Sequence, residues 1–270
     1  MASLNNRVTT ELAGIMDHFT GAMDEVVRAY AKKRNRNRDI NWLALQTAKE
    51  YGAIRTHARN MLNQAKNMKP IEEIKKSAHD ATEEVDHYYG YRQILEWCLD
   101  GKPCAVKKWW DYGDFAEKGG AGPKMKKSLW PEHVDYLEMN KTLASKTRSP
   151  WVREVILSNR EGAAVAFHYV MSRLPAKDAY MRRLTKHERS VAVDELHHGP
   201  EMIAILAKTI KSEKQLEEAK EKVQQMRVQE LHQRNEQFLH PLSKANMKKL
   251  EKNFLAGTTK AIPLFSTGKI

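Results

Sequence analysis

The chain has 270 residues, of which 41% are hydrophobic and 30% are charged, a composition typical of a folded helical protein rather than a disordered one. No apolar run reaches the roughly 18 residues of a transmembrane helix, and the first residues lack the apolar core of a secretory signal. Because its two cysteines make no disulfide framework, we expect a cytoplasmic protein with free thiols and no membrane span, while the formal net charge of +12 favours anionic partners or serves solubility alone.

The first predicted element is an amphipathic helix over residues 7–33. Apolar side chains recur there at three- and four-residue steps, which places them on one helix face. They are Val8, Leu12, Ile15, Met16, Phe19, Met23, Val26, Val27 and Tyr30. No ligand pattern lies on this helix, so we expect it to pack against the other helices or to mediate dimerisation. A basic run over 32–38 follows, and Asp39 is placed to cap the next helix.

Two further helices are predicted over about 40–66 and 70–99. The breaker sequence over 67–70 separates them, with Pro70 in the first turn of the second helix, and the turn residues over 100–103 end that helix.

The next segment, residues 101–149, is a long connection rich in aromatic residues, glycine and proline. A short helix is predicted within it over 131–143. Connections of this length are usually functional or mobile. This one either covers a site, shapes a substrate entrance or is a surface excursion.

The second half of the chain is also predicted to be helical. A third helix covers 150–173, with Ser149 as its cap, and a fourth covers 178–209 with a kink at Gly199-Pro200. The charged segment from 212 onward predicts an exposed helix with ion pairs between residues i and i+4. An apolar tail over 261–265 packs either on the core or on a second subunit.

One pattern of ligand-type residues occurs twice: a glutamate, and then, 34 positions later, Glu-x-x-His. The copies are Glu50 with Glu84 and His87, and Glu161 with Glu195 and His198. Positions i and i+3 share a helix face, so each Glu-x-x-His presents both side chains to one partner. Breaker residues lie midway in each half, so two antiparallel hairpins would place four carboxylates and two imidazoles in one bundle.

This set resembles the metal site of the ferritin-like di-iron carboxylate proteins, where a Glu from each of two helices joins a Glu-x-x-His from each of the other two. The resemblance covers about residues 40–210. It implies an all-α fold, a ferritin-like four-helix bundle with additional N- and C-terminal helices, in a single domain over 1–270. It also implies the six residues as metal ligands, and Glu83 and Asp194 as acids that hold the N–H of the ligand histidines.

Three other residues stand near the repeat. Tyr91 lies four residues after His87, where the radical-generating subunit of class I ribonucleotide reductases has a tyrosine; a packed core tyrosine is the interpretation we prefer. His57 and His168 each lie seven residues after the first glutamate of their half, two helical turns or about 10 Å away. We interpret them as core histidines with hydrogen-bond partners, the alternatives being a channel wall or a supporting role beside the ligands.

Mostly oxygen ligands with two imidazoles predict two iron ions, with a manganese–iron pair as an alternative. The resemblance implies a non-haem di-iron oxygenase that activates O2 to hydroxylate, desaturate or N-oxygenate a small or carrier-linked substrate. One or two of the four glutamates would shift coordination as O2 binds, and an electron-donor protein or reductase would supply electrons. The alternatives are ferritin- or rubrerythrin-like iron oxidation or peroxide scavenging, and a metal-free basic helical protein that binds nucleic acid.

Overall fold

A computed structural model describes residues 3–100, 110–111, 124–125, 130–146, 150–196 and 198–267. The helices are α1 (Leu4–Lys33), α2 (Arg36–Lys66), α3 (Ile71–Cys98), α4 (Pro131–Lys146), α5 (Pro150–Ser172), α6 (Ala179–Glu195), α7 (His198–Thr209), α8 (Glu213–Gln237) and α9 (Lys244–Leu255). Two short strands, β1 (Trp110–Asp111) and β2 (Lys124–Met125), pair antiparallel. The described residues are otherwise organised around helices, which confirms the all-α class. None of the helices described is long and apolar enough to cross a membrane.

Two helical hairpins position the predicted ligands. The first joins α2 to α3 through a turn in which Met68 has a φ of +51°, and the second joins α5 to α6. Asp178 caps α6 by accepting the backbone N–H of Met181 at 2.9 Å. The hairpins meet where α3 packs on α6. Gly90 permits this approach, because a Cβ there would overlap the imidazole of His187.

The apolar face of α1 is buried, as its spacing predicts. Residues such as Val8, Phe19 and Val26 are fully buried. This face of the helix packs against α5, α7 and α8. The apolar tail covers the same region, because the Asp17 carboxylate accepts the backbone N–H groups of Leu264 at 2.9 Å and Phe265 at 2.7 Å.

The start of α2 differs from the predicted one. The cap is Asn35, whose side chain accepts the backbone N–H of Arg38 at 3.0 Å, and the helix begins at Arg36. Asp39 therefore lies in the first turn. Its carboxylate instead accepts from the Tyr30 hydroxyl at 2.6 Å and from Arg34 at 2.8 Å. The prediction of Asp39 as the cap was wrong because a better-placed Asn precedes it by one turn.

Part of the basic run over 32–38 is engaged in packing. Arg36 donates to the carbonyl of Cys98 at 2.8 Å, and Arg38 donates to the carbonyl of Phe238 at 3.2 Å. These bonds join the start of α2 to the ends of α3 and α8. Guanidinium groups satisfy the carbonyls that a helix end leaves without partners. This positive charge therefore stabilises the fold.

The helix predicted as exposed from 212 onward is only partly so. Ser212 caps α8 and its first half carries ion pairs such as Lys222 with Glu218 at 3.4 Å. Its second half is buried from Glu230 to Phe238 except at its partly exposed position 232. The charge pattern missed this because polar side chains, not apolar ones, form the buried face.

The predicted fourth helix is two helices. The first of them, α6, ends at Glu195, and α7 begins at His198. A proline, which the sequence has at position 200, has no N–H to donate to the carbonyl four residues earlier, and in a continuous helix a proline ring would collide with that carbonyl. The helix therefore ends one turn before the proline. We predicted a kink at Gly199-Pro200. The structure instead ends one helix at Glu195 and begins the next at His198.

Candidate metal centre

The first hairpin brings three of the predicted ligands together. Glu84 and His87 lie one turn apart on α3, and Glu50 approaches them from α2. The ligand atoms of the three side chains all lie within 4.8 Å of one another. Glu50 and His87 are buried, with 7% and 3% of their surface exposed, and Glu84 is partly buried. Two carboxylates and an imidazole at this separation are a suitable donor set for a divalent metal ion.

The tautomer of His87 supports this interpretation. Its Nε2 lies 3.2 Å from a carboxylate oxygen of Asp194 on α6. A carboxylate only accepts, so in the neutral imidazole Nε2 carries the hydrogen and Nδ1 the lone pair. Nδ1 is buried, has no hydrogen bond in the described part of the chain, and lies 3.6 Å from Glu84 Oε2. In the neutral imidazole the lone pairs of Nδ1 and Glu84 Oε2 would therefore repel, and a cation bound between them would remove the repulsion.

The electrostatics of Glu50 also indicate that a bound cation would stabilise this group. Burial, and then the charge of Glu84, raise the pKa of Glu50 to about 7, while His168 and His87 oppose the rise. The Gln46 side chain donates an N–H to Glu50 Oε1. Two neighbouring carboxylates are costly to keep charged in a buried site. A divalent ion would stabilise both in the charged form, because metal ligands bind deprotonated.

The Glu-x-x-His of the second copy is divided between two helices. Glu195 is buried as the last residue of α6, and His198 is half-buried as the first residue of α7. Glu161 lies on α5, but its side chain is outside the described residues. Asp194, which precedes Glu195 in the sequence, contacts His87 and so links the two halves of the repeat. Among the described residues, only the first copy forms a compact group of three ligands.

Two further residues that the sequence analysis singled out, Glu83 and His57, also lie on the first hairpin. Glu83 lies 3.2 Å from the exposed His79 on its own helix. His57, half-buried, lies 3.6 Å from Asp80 and 3.9 Å from Glu84. It thus borders the candidate group through Glu84 rather than through Glu50.

A second polar layer begins at Tyr91, one helical turn after His87 on α3. Tyr91 donates to Glu188 Oε1 at 2.8 Å, and His168 Nδ1 lies 2.9 Å from Glu188 Oε2. All three side chains are buried, so Tyr91 and His168 are core residues with partners. Burial raises the pKa of Glu188 to about 7 and lowers the pKa of His168 well below its usual value.

Sequence reasoning missed three residues of this region: Glu188, Gln46 and Arg234. A signal for Glu188 exists, because it lies seven residues before Glu195 and so shares its buried helix face. Gln46 likewise lies one turn before Glu50. Nothing local marks Arg234, which reaches the region from α8 only because of the tertiary packing.

Comparisons of the chain with protein-family models, with curated proteins and with solved structures found no match. The functional proposal therefore rests on the side chains and their geometry.

Proposed function

We propose that this chain is a ferritin-like di-iron protein that uses O2 to oxidise a small or carrier-linked organic substrate. The observation that carries the proposal is the Glu50–Glu84–His87 group, in which the buried His87 Nδ1 has no hydrogen bond among the described residues and lies 3.6 Å from Glu84 Oε2. A helical site rich in carboxylates favours Fe²⁺ or Mn²⁺ over structural zinc, which prefers sulfur and nitrogen ligands.

In this proposal Glu50, Glu84 and His87 hold the first metal ion. Glu161, Glu195 and His198 contribute to the second, as the repeat predicts. The bound pair would supply the redox chemistry that reduces O2, with electrons from a donor protein or reductase. Manganese in place of one iron would use the same ligands.

The side chains of this chain would prepare the site for that chemistry. Asp194 accepts the Nε2 hydrogen of His87, so it fixes the ring and keeps Nδ1 as the ligand atom. Burial of Glu50 and His87 restricts water at the ligands. The half-buried Glu84 is the ligand of the three nearest to solvent, so O2 and substrate would enter on its side.

The experiment that separates an oxygenase from an iron-oxidising protein is turnover with limited iron. The full chain, loaded anaerobically with two equivalents of Fe²⁺, is mixed with O2 and a chemical reductant, with candidate substrates present. Oxygen incorporation or dehydrogenation of substrate over several turnovers, without uptake of further iron, supports the proposal. Oxidation of many equivalents of Fe²⁺ to a stored ferric product would show iron handling instead. His79→Ala is a matched control for His87→Ala, because His79 lies on the same helix but is exposed.

A further inference from the structure

A buried polar segment of α8 lies beside the candidate metal centre. The helix buries six polar side chains near its end: Glu230, Gln233, Arg234, Asn235, Glu236 and Gln237. Burial of polar groups is costly unless they are hydrogen-bonded, so such a segment needs a reason. For two of these six side chains the reason is a hydrogen bond to a nearby backbone N–H group. Asn235 accepts the backbone N–H of Leu242, and Glu236 accepts the backbone N–H of His133 at the start of α4.

The other side of this segment reaches α2 through Gln46. Arg234 Nη1 donates to Gln46 Oε1 at 3.0 Å, and Gln237 Nε2 donates to the same oxygen at 3.2 Å. The amide nitrogen of Gln46 then donates to Glu50 Oε1. A line of buried hydrogen bonds thus runs from α8 to a predicted metal ligand.

Chemistry fixes the direction of this line. A guanidinium has only donors, so the group of Gln46 that meets Arg234 must be its carbonyl oxygen. The amide nitrogen must then point the other way, toward Glu50. A glutamine alone could present either end of its amide. Arg234 removes that choice and makes Gln46 a permanent donor to the carboxylate.

Two further contacts hold Arg234 in place. Its Nε donates to Glu230 Oε1 at 2.9 Å, and its guanidinium lies 3.7 Å from the ring centre of Phe167. Burial opposes the charge of Glu230, but Arg234, Lys49 and Arg227 outweigh it and lower the pKa of Glu230 to about 2. Glu230 therefore stays a carboxylate that anchors the guanidinium.

We propose that Arg234 and Gln46 are positioning residues that orient the Glu50 carboxylate for metal binding. This inference rests on the proposed function, since it requires Glu50 to be a ligand. It makes α8, which lies outside the repeated hairpins, a working part of the metal centre. Contacts of this kind around a ligand typically change metal affinity by about 10- to 100-fold.

The test uses Co²⁺ as the probe, titrated anaerobically into the full chain and followed by its visible d–d absorption. Gln46→Met keeps the length of the side chain and removes the donor to Glu50. Glu236→Gln is the control, because Glu236 is equally buried on α8 and accepts the backbone N–H groups of Glu132 and His133 rather than contacting Gln46. We expect Gln46→Met to weaken Co²⁺ binding about tenfold and to change the d–d spectrum. The control should keep the wild-type affinity within about twofold.

Arg234→Met provides an independent measurement, since it frees the Gln46 amide without touching Glu50. It should weaken Co²⁺ binding in the same direction. If Gln46→Met does not fold, Gln46→Asn retains an amide too short to bridge both partners and should give the same loss. Wild-type affinity and spectrum in the folded Gln46 and Arg234 variants would overturn the inference alone. No Co²⁺ binding by the wild-type chain would overturn the proposed function, and the inference with it.

Discussion

The two copies of the repeat have the same spacing but different local structures. In the first, Glu84 and His87 lie on α3, which continues without interruption to Cys98. In the second, Glu195 ends one helix and His198 begins the next. The residues after each histidine explain the difference. Tyr88-Tyr89 continue the helix in the first copy, and Gly199-Pro200 stop it in the second.

This comparison shows that equal spacing does not give equal geometry. An uninterrupted helix keeps positions i and i+3 on one face, and the first copy accordingly forms the compact group. The break in the second copy frees His198 from the register of Glu195. We therefore expect the metal ion held by the first copy to bind more tightly, and the second copy to serve as the adjustable half of the site.

The largest effect is expected from removing a ligand of the compact group. Glu84→Ala should weaken binding of the tighter metal ion by more than about 100-fold, beyond what an indirect contact contributes. Glu195→Ala should mainly affect the second ion. Helix content should hardly change in either. Titration with Co²⁺ and circular dichroism measure both quantities, and Glu72→Ala is the control because that acid is exposed on the same helix and pairs with Lys75. Full occupancy by two ions in Glu84→Ala would remove this residue from the ligand set.

The break itself can be moved into the first copy. Tyr89 is exposed and occupies in α3 the position that Pro200 has after His198. Tyr89→Pro should lower the free energy of unfolding by about 3 kcal/mol, because the proline removes a helix hydrogen bond and collides with a carbonyl. It should also weaken metal binding by releasing His87. Chemical denaturation with Tyr89→Ala as control measures the first effect. Unchanged binding in a folded Tyr89→Pro would show that helix continuity is irrelevant to the group.

A smaller loss is expected at the contact between the two halves. Asp194→Ala removes the acceptor of the His87 Nε2 hydrogen and lets the ring change tautomer. Metal affinity should fall about 10- to 100-fold, while ligand number stays the same. Asp194→Asn should restore part of the affinity, because its amide oxygen still accepts. Equal affinities in all three proteins would separate Asp194 from the site.

The smallest effect is a pH dependence of the metal-free protein. The pKa of Glu50 is raised to about 7, mainly by burial and Glu84, so the folded state keeps a proton that the unfolded state releases from about pH 4.5. The stabilisation that this bound proton provides is fully present at low pH and is lost as the pH rises to about 7. The free energy of unfolding falls by up to about 1.4 kcal/mol for each unit by which folding raises the pKa. The melting temperature should fall from pH 5 to 8.

Two variants show which carboxylates cause the slope of melting temperature against pH. Glu50→Gln and Glu188→Gln should each reduce it, because the pKa of Glu188 is also raised to about 7 by burial. Co²⁺ should reverse the fall in the Glu188 variant, since metal binding favours the deprotonated ligand. A slope that Glu50→Gln leaves unchanged would contradict the burial of that carboxylate.

The sequence predicts the helices well wherever a regular pattern ends at a breaker. The breaker over 67–70 and the start of the fourth predicted helix near 178 follow from local chemistry, and the structure confirms both. The break before His198 was underestimated because a proline acts on the turn that precedes it. The buried half of α8 was missed because its polar side chains face partners from distant parts of the chain, and no local pattern shows that Arg234 meets Gln46.

The candidate site likewise combines residues that the local sequence identifies with contacts that only the tertiary packing creates. Spacing within one hairpin brings together Glu50, Glu84 and His87, so the sequence alone could identify them. The contact of Asp194 with His87 joins the two hairpins, and only the resemblance indicated it. The packing of the second layer around Glu188 depends on how α5 and α6 meet, which spacing does not determine.

The most direct test of the central claim is metal stoichiometry. The full chain is reconstituted anaerobically with Fe²⁺, freed of unbound metal and measured by elemental analysis, then exposed to O2 while its absorption is followed. We predict two iron ions per chain and a transient oxygen-dependent absorption band. A folded chain that retains no iron would contradict the metal centre and leave the repeat as a feature of helix packing alone.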